Sequence, residues 1–424
     1  MSHRPKLPPQ KASSGVQPTA LAGLRVVDFS RVLAGPFATQ ILGDLGAEII
    51  KVEQVGTGDD TRVLLPNPQL GGESYFYLSL NRNKRSIAID LSTDEGRQVA
   101  LDLIATADVV VENFTTRVMQ HFGLDYHSLK ERFPRLIYCS ISGYGRTGRL
   151  ANAAGYDTAI YVESGVAALN SSPNEPPVTG GTPFIDITTA LNATIGILAA
   201  VRARDLHGHG QLVESALYDN AIADLSYKGY QYLVSGEAPQ ALGRKPKFGM
   251  PGGLYDCLDG QFWFTCTGAK MYRAFCDAVV QRPELFDDPR FARIEERNRN
   301  FEILYDLLAN IFATEARGYW VERLRNAGIP CGEVRSIGEA LMSRETAERE
   351  MLFEIPHPTA GTIPMISLPI KMSYTPAKYA TAPPLLGEHS TQILREIAGY
   401  SDERIAALAR SGAVQTLEQL SAAE

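Results

Sequence analysis

Asp186, directly before a long apolar segment, is the residue of this chain with the clearest potential for covalent chemistry. Asp is a preferred N-cap of a helix, because its carboxylate accepts hydrogen bonds from the amides of the first turn. A helix N-terminus also favours an ionised carboxylate, and Gly180 and Gly181 leave space around it. Such a carboxylate can attack an acyl carbon. The residues alone therefore leave two interpretations, a helix cap and a nucleophile.

Two short glycine turns precede this aspartate, GYG at 143–145 and GYD at 155–157. The first turn follows LIYCSI at 136–141, an apolar segment typical of a buried strand. Ligands of parallel sheets bind at the carboxyl ends of the strands. The turns therefore predict a ligand site there, although turn chemistry with aromatic packing explains the same residues.

Basic and amide side chains stand beside two further strand candidates, NKR at 83–85 and ENFTTR at 112–117. Such groups suit a phosphate-bearing ligand, and they are equally typical of a solvated surface. A third segment, MPGG at 250–253, predicts a flexible loop that opens a second domain.

Several common catalytic motifs are missing from the sequence. No G-x-G-x-x-G follows the first strand, and neither a P-loop nor a G-x-S-x-G occurs. This disfavours dinucleotide oxidoreductases, P-loop NTPases and α/β-hydrolases. His207 and His209 have no accompanying H-E-x-x-H or Cys/His set, so we predict no metal site.

The composition is that of a mildly acidic globular chain. Its 424 residues carry 41 Lys and Arg against 48 Asp and Glu, a net charge of −7, which does not indicate nucleic-acid binding. Five cysteines without a C-x-x-C pair predict free thiols in a reducing compartment, the cytoplasm or, in a eukaryote, the mitochondrial matrix. We find no apolar run of about 18 residues and expect no membrane segment.

Strands and helices that position these residues alternate along the chain. Alternation predicts βαβ units and a mostly parallel sheet, an α/β fold. A helix at 187–204, apolar on most faces, is expected to be deeply packed. The predicted strands are at 24–29, 48–53, 86–90, 108–114, 136–141 and 211–217, with two short strands of the small domain at 254–257 and 261–265.

The chain is expected to form a large and a small domain, because single cores stop growing near roughly 250–300 residues. Residues 1–20 are rich in proline and predict a disordered arm. A transit peptide is the alternative, since the arm has no acidic residue. The expected divisions are a large domain at 21–235, a small α+β domain at 240–340, and a linker and C-terminal part at 345–424 that returns to the large domain.

The order of several sequence blocks resembles the class III coenzyme A transferases, the family of formyl-CoA and carnitine-CoA transferases. The resemblance runs from about residue 21 to the end. It is carried by LAGLRVVDFSRVLAGPFATQILGDLGAEIIKVE at 21–53, GTGDDTR at 56–62, NRNKRSIAIDL at 81–91, DVVVENF at 108–114, SGYGRTG at 142–148, AGYD at 154–157, TPFIDITTALNATIGILAAVRARDLHGHGQLVESALYD at 182–219 and PPLLGEH at 383–389.

This resemblance implies a homodimer of two interlocked, ring-like chains, each with a Rossmann-like large domain. It implies that a coenzyme A thioester and a carboxylic acid are substrates, that no cofactor is permanently bound, and that Asp186 is the acylated carboxylate. It further implies coenzyme contacts and a shielding glycine loop at Gly252 and Gly253. Gln54 and His121 depart from basic positions of the family, and Arg117 can compensate for His121. The implied coenzyme contacts are Ala34, Gln54, Ile89, Asn113, Phe114, Thr115, Arg117, His121, Tyr156 and Asp157.

The blocks look most like the succinyl-CoA:dicarboxylate branch, including glutarate-type enzymes. A second carboxylate needs a cation, for which Arg62, Arg117, Arg146, Lys245 and Lys247 are candidates. Two alternatives stay open. A 2-methylacyl-CoA racemase uses a G-H-D histidine as an acid/base group, but here Tyr156 stands in its place, and a phenol of pKa near about 10 is a poor substitute. The second alternative is a non-catalytic paralogue that binds acyl-CoA.

Overall fold

A computed structural model of the protein describes residues 17–172, 175–239, 241, 243 and 249–417. These residues form two compact units. Unit 1 takes the described residues within Met1–Ser164, Gly180–Ser226 and Arg344–Glu424, and unit 2 takes those within Gly165–Thr179 and Tyr227–Ser343. Unit 2 includes the segment at 165–179, which lies outside the small domain expected at 240–340. Most of the expected N-terminal arm lies outside the described residues.

A seven-stranded sheet is the centre of unit 1, with strand order β12-β3-β2-β1-β4-β5-β6. Its strands run parallel except β12, which pairs antiparallel with β3. The prediction of an α/β fold with a mainly parallel sheet is confirmed. The strands of the described residues are β1 (Arg25–Asp28), β2 (Glu48–Glu53), β3 (Lys84–Ile89), β4 (Val109–Glu112), β5 (Ile137–Ser142), β6 (Leu212–Ala216), β7 (Gly252–Cys257), β8 (Gly260–Thr265), β9 (Cys331–Glu333), β10 (Leu352–His357), β11 (Gly361–Ile366) and β12 (Val414–Gln415).

Helices cover the sheet because its strands are apolar on both faces, as β4 illustrates with four buried residues in succession. The α-helices of the described residues are α1 (Ala34–Asp44), α2 (Tyr75–Leu80), α3 (Asp94–Ile104), α4 (Thr116–Phe122), α5 (Tyr126–Leu129), α6 (Asp157–Glu163), α7 (Val166–Leu169), α8 (Phe184–His207), α9 (Leu217–Asp224), α10 (Ser226–Ser235), α11 (Ala269–Ala274), α12 (Glu284–Asp287), α13 (Ile294–Arg299), α14 (Phe301–Phe312), α15 (Arg317–Asn326), α16 (Ile337–Leu341), α17 (Arg344–Glu348), α18 (Ser390–Glu396) and α19 (Asp402–Ser411).

The long helix α8 begins at Phe184, three residues before the predicted start at 187, and packs against α1, α9, β5 and β6. By length and composition alone, α8 is apolar enough to cross a membrane, which the sequence analysis did not expect. Core helices of soluble proteins pass the same test, so this observation does not assign α8 to a membrane.

Unit 2 has its own core, built around the antiparallel sheet β7-β8-β9. Aromatic rings dominate that core: the Tyr255 ring stacks on the Tyr305 ring at a centroid distance of 4.4 Å, and Phe312 meets Tyr255 edge-on. Cys266 and Cys276 are buried free thiols there. An apolar core of this size is what allows a short segment to fold as a separate unit.

Gly252 and Gly253 belong to strand β7 and are buried, so the prediction of a flexible loop at these two residues is wrong. They pair with Thr265 and Phe264 of β8. A side chain on Gly252 would lie 3.1 Å from the carbonyl oxygen of Gly249. Close backbone packing in the strand therefore explains glycine at this position.

Candidate active site

Asp186 lines a cavity at the carboxyl ends of β1, β4 and β5. Strand order reverses between β1 and β4, and open α/β sheets bind ligands in the crevice at such a point. The cavity measures about 140 Å³, below the roughly 300–1,000 Å³ of pockets that enclose a drug-sized ligand. It therefore encloses a small group at most.

The loop after β1 carries three lining residues and has an unfavourable backbone at Val32, whose φ is +70°. A β-branched residue seldom adopts this conformation, so its surroundings must hold it. Asp59 accepts the N–H of Val32 at 3.2 Å. Lys51 Nζ donates to Asp59 and to the carbonyl oxygen of Ser30, each at 2.9 Å. A buried ion pair thus fixes this turn.

Asn113 joins the loop after β4 to the loop after β1. Its Oδ1 accepts the N–H of Arg31 at 2.9 Å, and its Nδ2 donates to the carbonyl oxygen of Arg31 at 2.7 Å. The side chain predicted to contact the coenzyme therefore also holds Arg31 in position.

The two glycine turns cross each other beside the cavity. A side chain on Gly143 would lie 2.7 Å from the Cα of Gly155, and one on Gly155 would lie 2.7 Å from the Cα of Gly143. Real Cβ atoms essentially never come this close. The glycines of both motifs therefore allow two loops that line the cavity to pack backbone to backbone.

Asp186 is not the cap of its helix, so that interpretation of the sequence is wrong. It lies inside the first turn of α8, whose N-cap residue is Pro183. The cap is supplied by Asp157, the first residue of α6: its Oδ2 accepts the N–H groups of Ile185 at 2.8 Å and Asp186 at 3.0 Å. The Asp186 carboxylate itself accepts no hydrogen bond from the residues that the structure describes.

The pKa of Asp186 is raised from 3.8 to about 7, first by burial and then by the negative charge of Asp157. We had expected the helix N-terminus to keep this carboxylate readily ionised. That expectation is wrong because Asp157 already occupies the first amides of α8. The result is a carboxylate that loses its proton near neutral pH and has few groups to stabilise its charge, as a nucleophile requires.

Two arginines predicted to bind a second carboxylate are already engaged. Arg62 forms a two-point pair with Glu53 at 2.7 Å and donates to the Tyr77 hydroxyl and the Pro384 carbonyl. Arg146 lines the cavity, but it donates to Glu112 and to two oxygens of β5. It also donates to a carbonyl oxygen and a threonine hydroxyl in the segment that follows β4. Both side chains therefore hold the fold together.

Arg31, which sequence reasoning missed, lines the cavity with Asp186. Its guanidinium pairs with the exposed Asp60 at 2.9 Å and lies 5.3 Å from the Phe114 ring centroid. The signal that could have found it is its place directly after the first strand, where ligands of parallel sheets bind.

The predicted coenzyme contacts fall into groups. Ala34, Asn113, Phe114, Thr115 and Tyr156 line the cavity. The Ile89 side chain is buried in the core, and Gln54, Arg117 and His121 are exposed outside the lining.

Lys84, predicted near a phosphate, is instead buried in β3 and paired with Asp28 at 3.2 Å. Lys245 and Lys247 lie outside the described residues. In the described ranges, no group of three or more His, Cys, Asp or Glu side chains could hold a metal ion.

Comparison with known proteins gives one family. The model of CoA-transferase family III matches residues 21–390. An acyl-CoA transferase of Fusarium pseudograminearum is 37% identical over 93% of this chain and 88% of its own length. The human succinyl-CoA:glutarate CoA-transferase is 34% identical over 97% and 93%. A CAIB/BAIF family protein of Brucella suis, a solved structure, is 35% identical with a TM-score of 0.81, covering 90% of this chain and all of that one. The chain belongs to CoA-transferase family III, and it is a CoA-transferase.

Proposed function

We propose that this enzyme transfers coenzyme A from a succinyl-CoA-like donor to a dicarboxylic acid through covalent intermediates on Asp186. The observation that carries the proposal is the Asp186 carboxylate, which lines the cavity at the switch point of the sheet and accepts no hydrogen bond from any residue that the structure describes. The named glutarate transferase among its relatives supports the substrate class.

The proposed exchange has four balanced steps. A carboxylate oxygen of Asp186 attacks the donor thioester carbon, and the C–S bond breaks to give a mixed anhydride and coenzyme A thiolate. The thiolate attacks the Asp186 carbonyl carbon and releases the donor acid as its carboxylate, leaving an aspartyl thioester. The acceptor carboxylate then attacks this thioester and expels the thiolate. Finally the thiolate attacks the acceptor acyl carbon and restores the Asp186 carboxylate.

We expect backbone amides of the cavity wall to stabilise the charge that develops in these steps. Helix α1 begins at Ala34 in the cavity wall, and no side chain caps it at Leu33. Uncapped N–H groups at a helix N-terminus stabilise a nearby oxyanion. Small groups around the site and a cavity of limited size would keep water from an anhydride.

The decisive experiment replaces Asp186 with Asn and follows transfer from succinyl-CoA to glutarate. We expect a loss of roughly 10⁴-fold or more, because the step that forms the anhydride is gone, while coenzyme A binding by calorimetry persists. Wild-type enzyme incubated with donor and then hydroxylamine should carry a hydroxamate at Asp186, detectable by mass spectrometry. Unchanged turnover in the variant would contradict the mechanism.

The substrate class is tested by a panel of acceptors with succinyl-CoA as donor. We expect C4–C6 dicarboxylic acids to be used at much lower KM than monocarboxylic acids of equal length. Activity confined to monocarboxylic acids would refute the dicarboxylate assignment and leave the covalent mechanism standing.

We also propose that the enzyme is a homodimer. Helix α10 has no buried residue in the part of the chain that the structure describes. It exposes Tyr227, Tyr230, Leu233 and Val234, each by 69% or more. A helix with this much exposed apolar surface is normally covered by a partner. Light scattering after size-exclusion chromatography should give twice the chain mass of 46.3 kDa, and a monomer would count against the proposal.

A further inference from the structure

Two arginines line the cavity beside Asp186, and they differ in how their donors are used. All three nitrogen atoms of the Arg146 guanidinium donate to oxygen atoms of the fold. In Arg31, Nη1 pairs with Asp60, and Nε and Nη2 make no hydrogen bond to any residue that the structure describes. Arg31 is therefore the lining arginine with donors left for a ligand.

The backbone of Arg31 is fixed, whereas its side chain can exchange partners. Asn113 holds both its N–H and its carbonyl oxygen, and the next residue, Val32, is held by Asp59. The ion pair between Arg31 and Asp60 is about half exposed on both sides, with side-chain exposures of 48% and 56%. Exposed ion pairs of this kind are weak, so the pair with Asp60 leaves the Arg31 side chain free to turn toward a ligand carboxylate.

We propose that Arg31 binds the distal carboxylate of the dicarboxylic acid whose other end reacts with Asp186. Nε and Nη2 of a guanidinium form a fork that matches the two oxygens of a carboxylate. Asp60 holds Nη1 and leaves this fork open for the substrate. This inference rests on the proposed dicarboxylate transfer and names the residue that would select the second carboxylate.

The test compares two variants that are expected to change acceptor binding in opposite directions. Arg31→Met should raise the KM for glutarate by roughly 10- to 100-fold, because a hydrogen-bonded charge pair is lost. It should leave the KM for valerate, which lacks the second carboxylate, nearly unchanged. Asp60→Asn should lower the KM for glutarate, because it removes a negative charge that offsets Arg31 and repels the incoming carboxylate. Arg410→Met, on the exposed surface of α19, is the matched control and should change neither value.

The alternative ligand of Arg31 is a phosphate group of the coenzyme. Binding of free coenzyme A, which has the phosphates but no dicarboxylic acid, distinguishes the two ligands. Its dissociation constant, measured by calorimetry, should be the same for wild type and Arg31→Met. A weaker constant, together with equal KM increases for glutarate and valerate, would overturn the inference.

Folding defects and failure of the proposed function are also distinguishable. If Arg31→Met does not fold, Asp60→Asn still has to lower the glutarate KM, and an unchanged or higher value contradicts the role of Arg31. If wild-type enzyme uses no dicarboxylic acid, the proposed function itself fails. If it does, and Arg31→Met keeps the same preference for glutarate over valerate, only the inference about Arg31 is overturned.

Discussion

Unit 1 contains aspartates in two very different environments, Asp186 in the cavity and Asp28 and Asp59 in the buried network beneath it. Burial by itself would raise the pKa of all three carboxyl groups, yet only the pKa of Asp186 ends above its ordinary value. In Asp59 this effect is overcome by Lys51 and by hydrogen bonds from Thr61, so its pKa falls to about 2. In Asp186 nothing opposes burial, and the charge of Asp157 adds to it.

The comparison shows that burial alone does not make a carboxylate reactive. Asp28 accepts hydrogen bonds from Ser30, Thr39 and Lys84 and has a lowered pKa despite being fully buried. A carboxylate with satisfied oxygens is a structural ion, because its charge is already stabilised. Asp186 has no such partner among the residues that the structure describes, and in the proposed mechanism its charge attacks an acyl carbon. The same network also supports the site, since Lys51 and Asp59 hold the loop that carries Arg31 and Val32.

Removing a partner from the network should give the largest loss of stability. Lys51→Met leaves Asp59 buried without its cation, and breaking a buried pair in this way costs roughly 3–5 kcal/mol. Urea unfolding followed by circular dichroism measures the change. The exposed control, Arg410→Met, should stay within about 0.5 kcal/mol of wild type. A loss below about 1 kcal/mol for Lys51→Met would mean that water or relaxation compensates the charge, and the contrast with Asp186 would disappear.

Removing the Asp186 charge should raise the free energy of unfolding, the opposite of the effect of Lys51→Met. The folded-state pKa lies above the unfolded value of 3.8, so wild type loses stability as the pH rises from about 4 to about 7. Asp186→Asn has no such loss and should be more stable at pH 8 by ~2–4 kcal/mol. The gain should shrink at pH 5 and vanish near pH 4. Urea unfolding at these pH values tests the prediction, which a pH-independent difference would contradict.

The pH dependence of activity reports the same group. In the proposed mechanism the ionised carboxylate is the nucleophile, so kcat/KM should rise with pH through about 7, the pKa of Asp186 in the free enzyme. Asp157→Asn removes the neighbouring negative charge and should move this rise to lower pH. Its amide oxygen can still cap α8, so the stability loss should stay near or below about 1 kcal/mol. If the pH at which kcat/KM rises is the same in Asp157→Asn and wild type, Asp157 acts only as a helix cap.

Local sequence patterns predicted the parallel sheet well, and β2 has the predicted bounds at Glu48–Glu53. Patterns failed where a distant group decides the structure. The start of α8 depends on Asp157, which comes from another helix. Because Asp157 accepts the first amides of α8, the carboxylate of Asp186, which the sequence predicts as the cap, is left without them.

Other failures have the same cause. Lys84 looked like a surface charge because its partner Asp28 lies on another strand. Gly252 and Gly253 looked like a loop because their pairing with β8 is not visible in a run of four residues.

The smallest effect is expected at Val32, which connects the network to the cavity. Its φ of +70° is unfavourable for a β-branched residue but ordinary for glycine. Val32→Gly relieves that strain, but glycine also gives the unfolded chain more conformational entropy to lose on folding. The net gain in the free energy of unfolding should therefore be near or below about 1 kcal/mol.

The double variant Lys51→Met/Val32→Gly makes the argument sharper. If the Lys51–Asp59 pair stabilises the strained turn, part of the loss caused by Lys51→Met should be recovered when the strain is absent, a coupling of about 0.5–1 kcal/mol in a double-mutant cycle. Strict additivity would show that the pair and the turn are neighbours without energetic connection. Coupling would show that the satisfied carboxylate of Asp59 holds the loop that lines the cavity beside the unsatisfied carboxylate of Asp186.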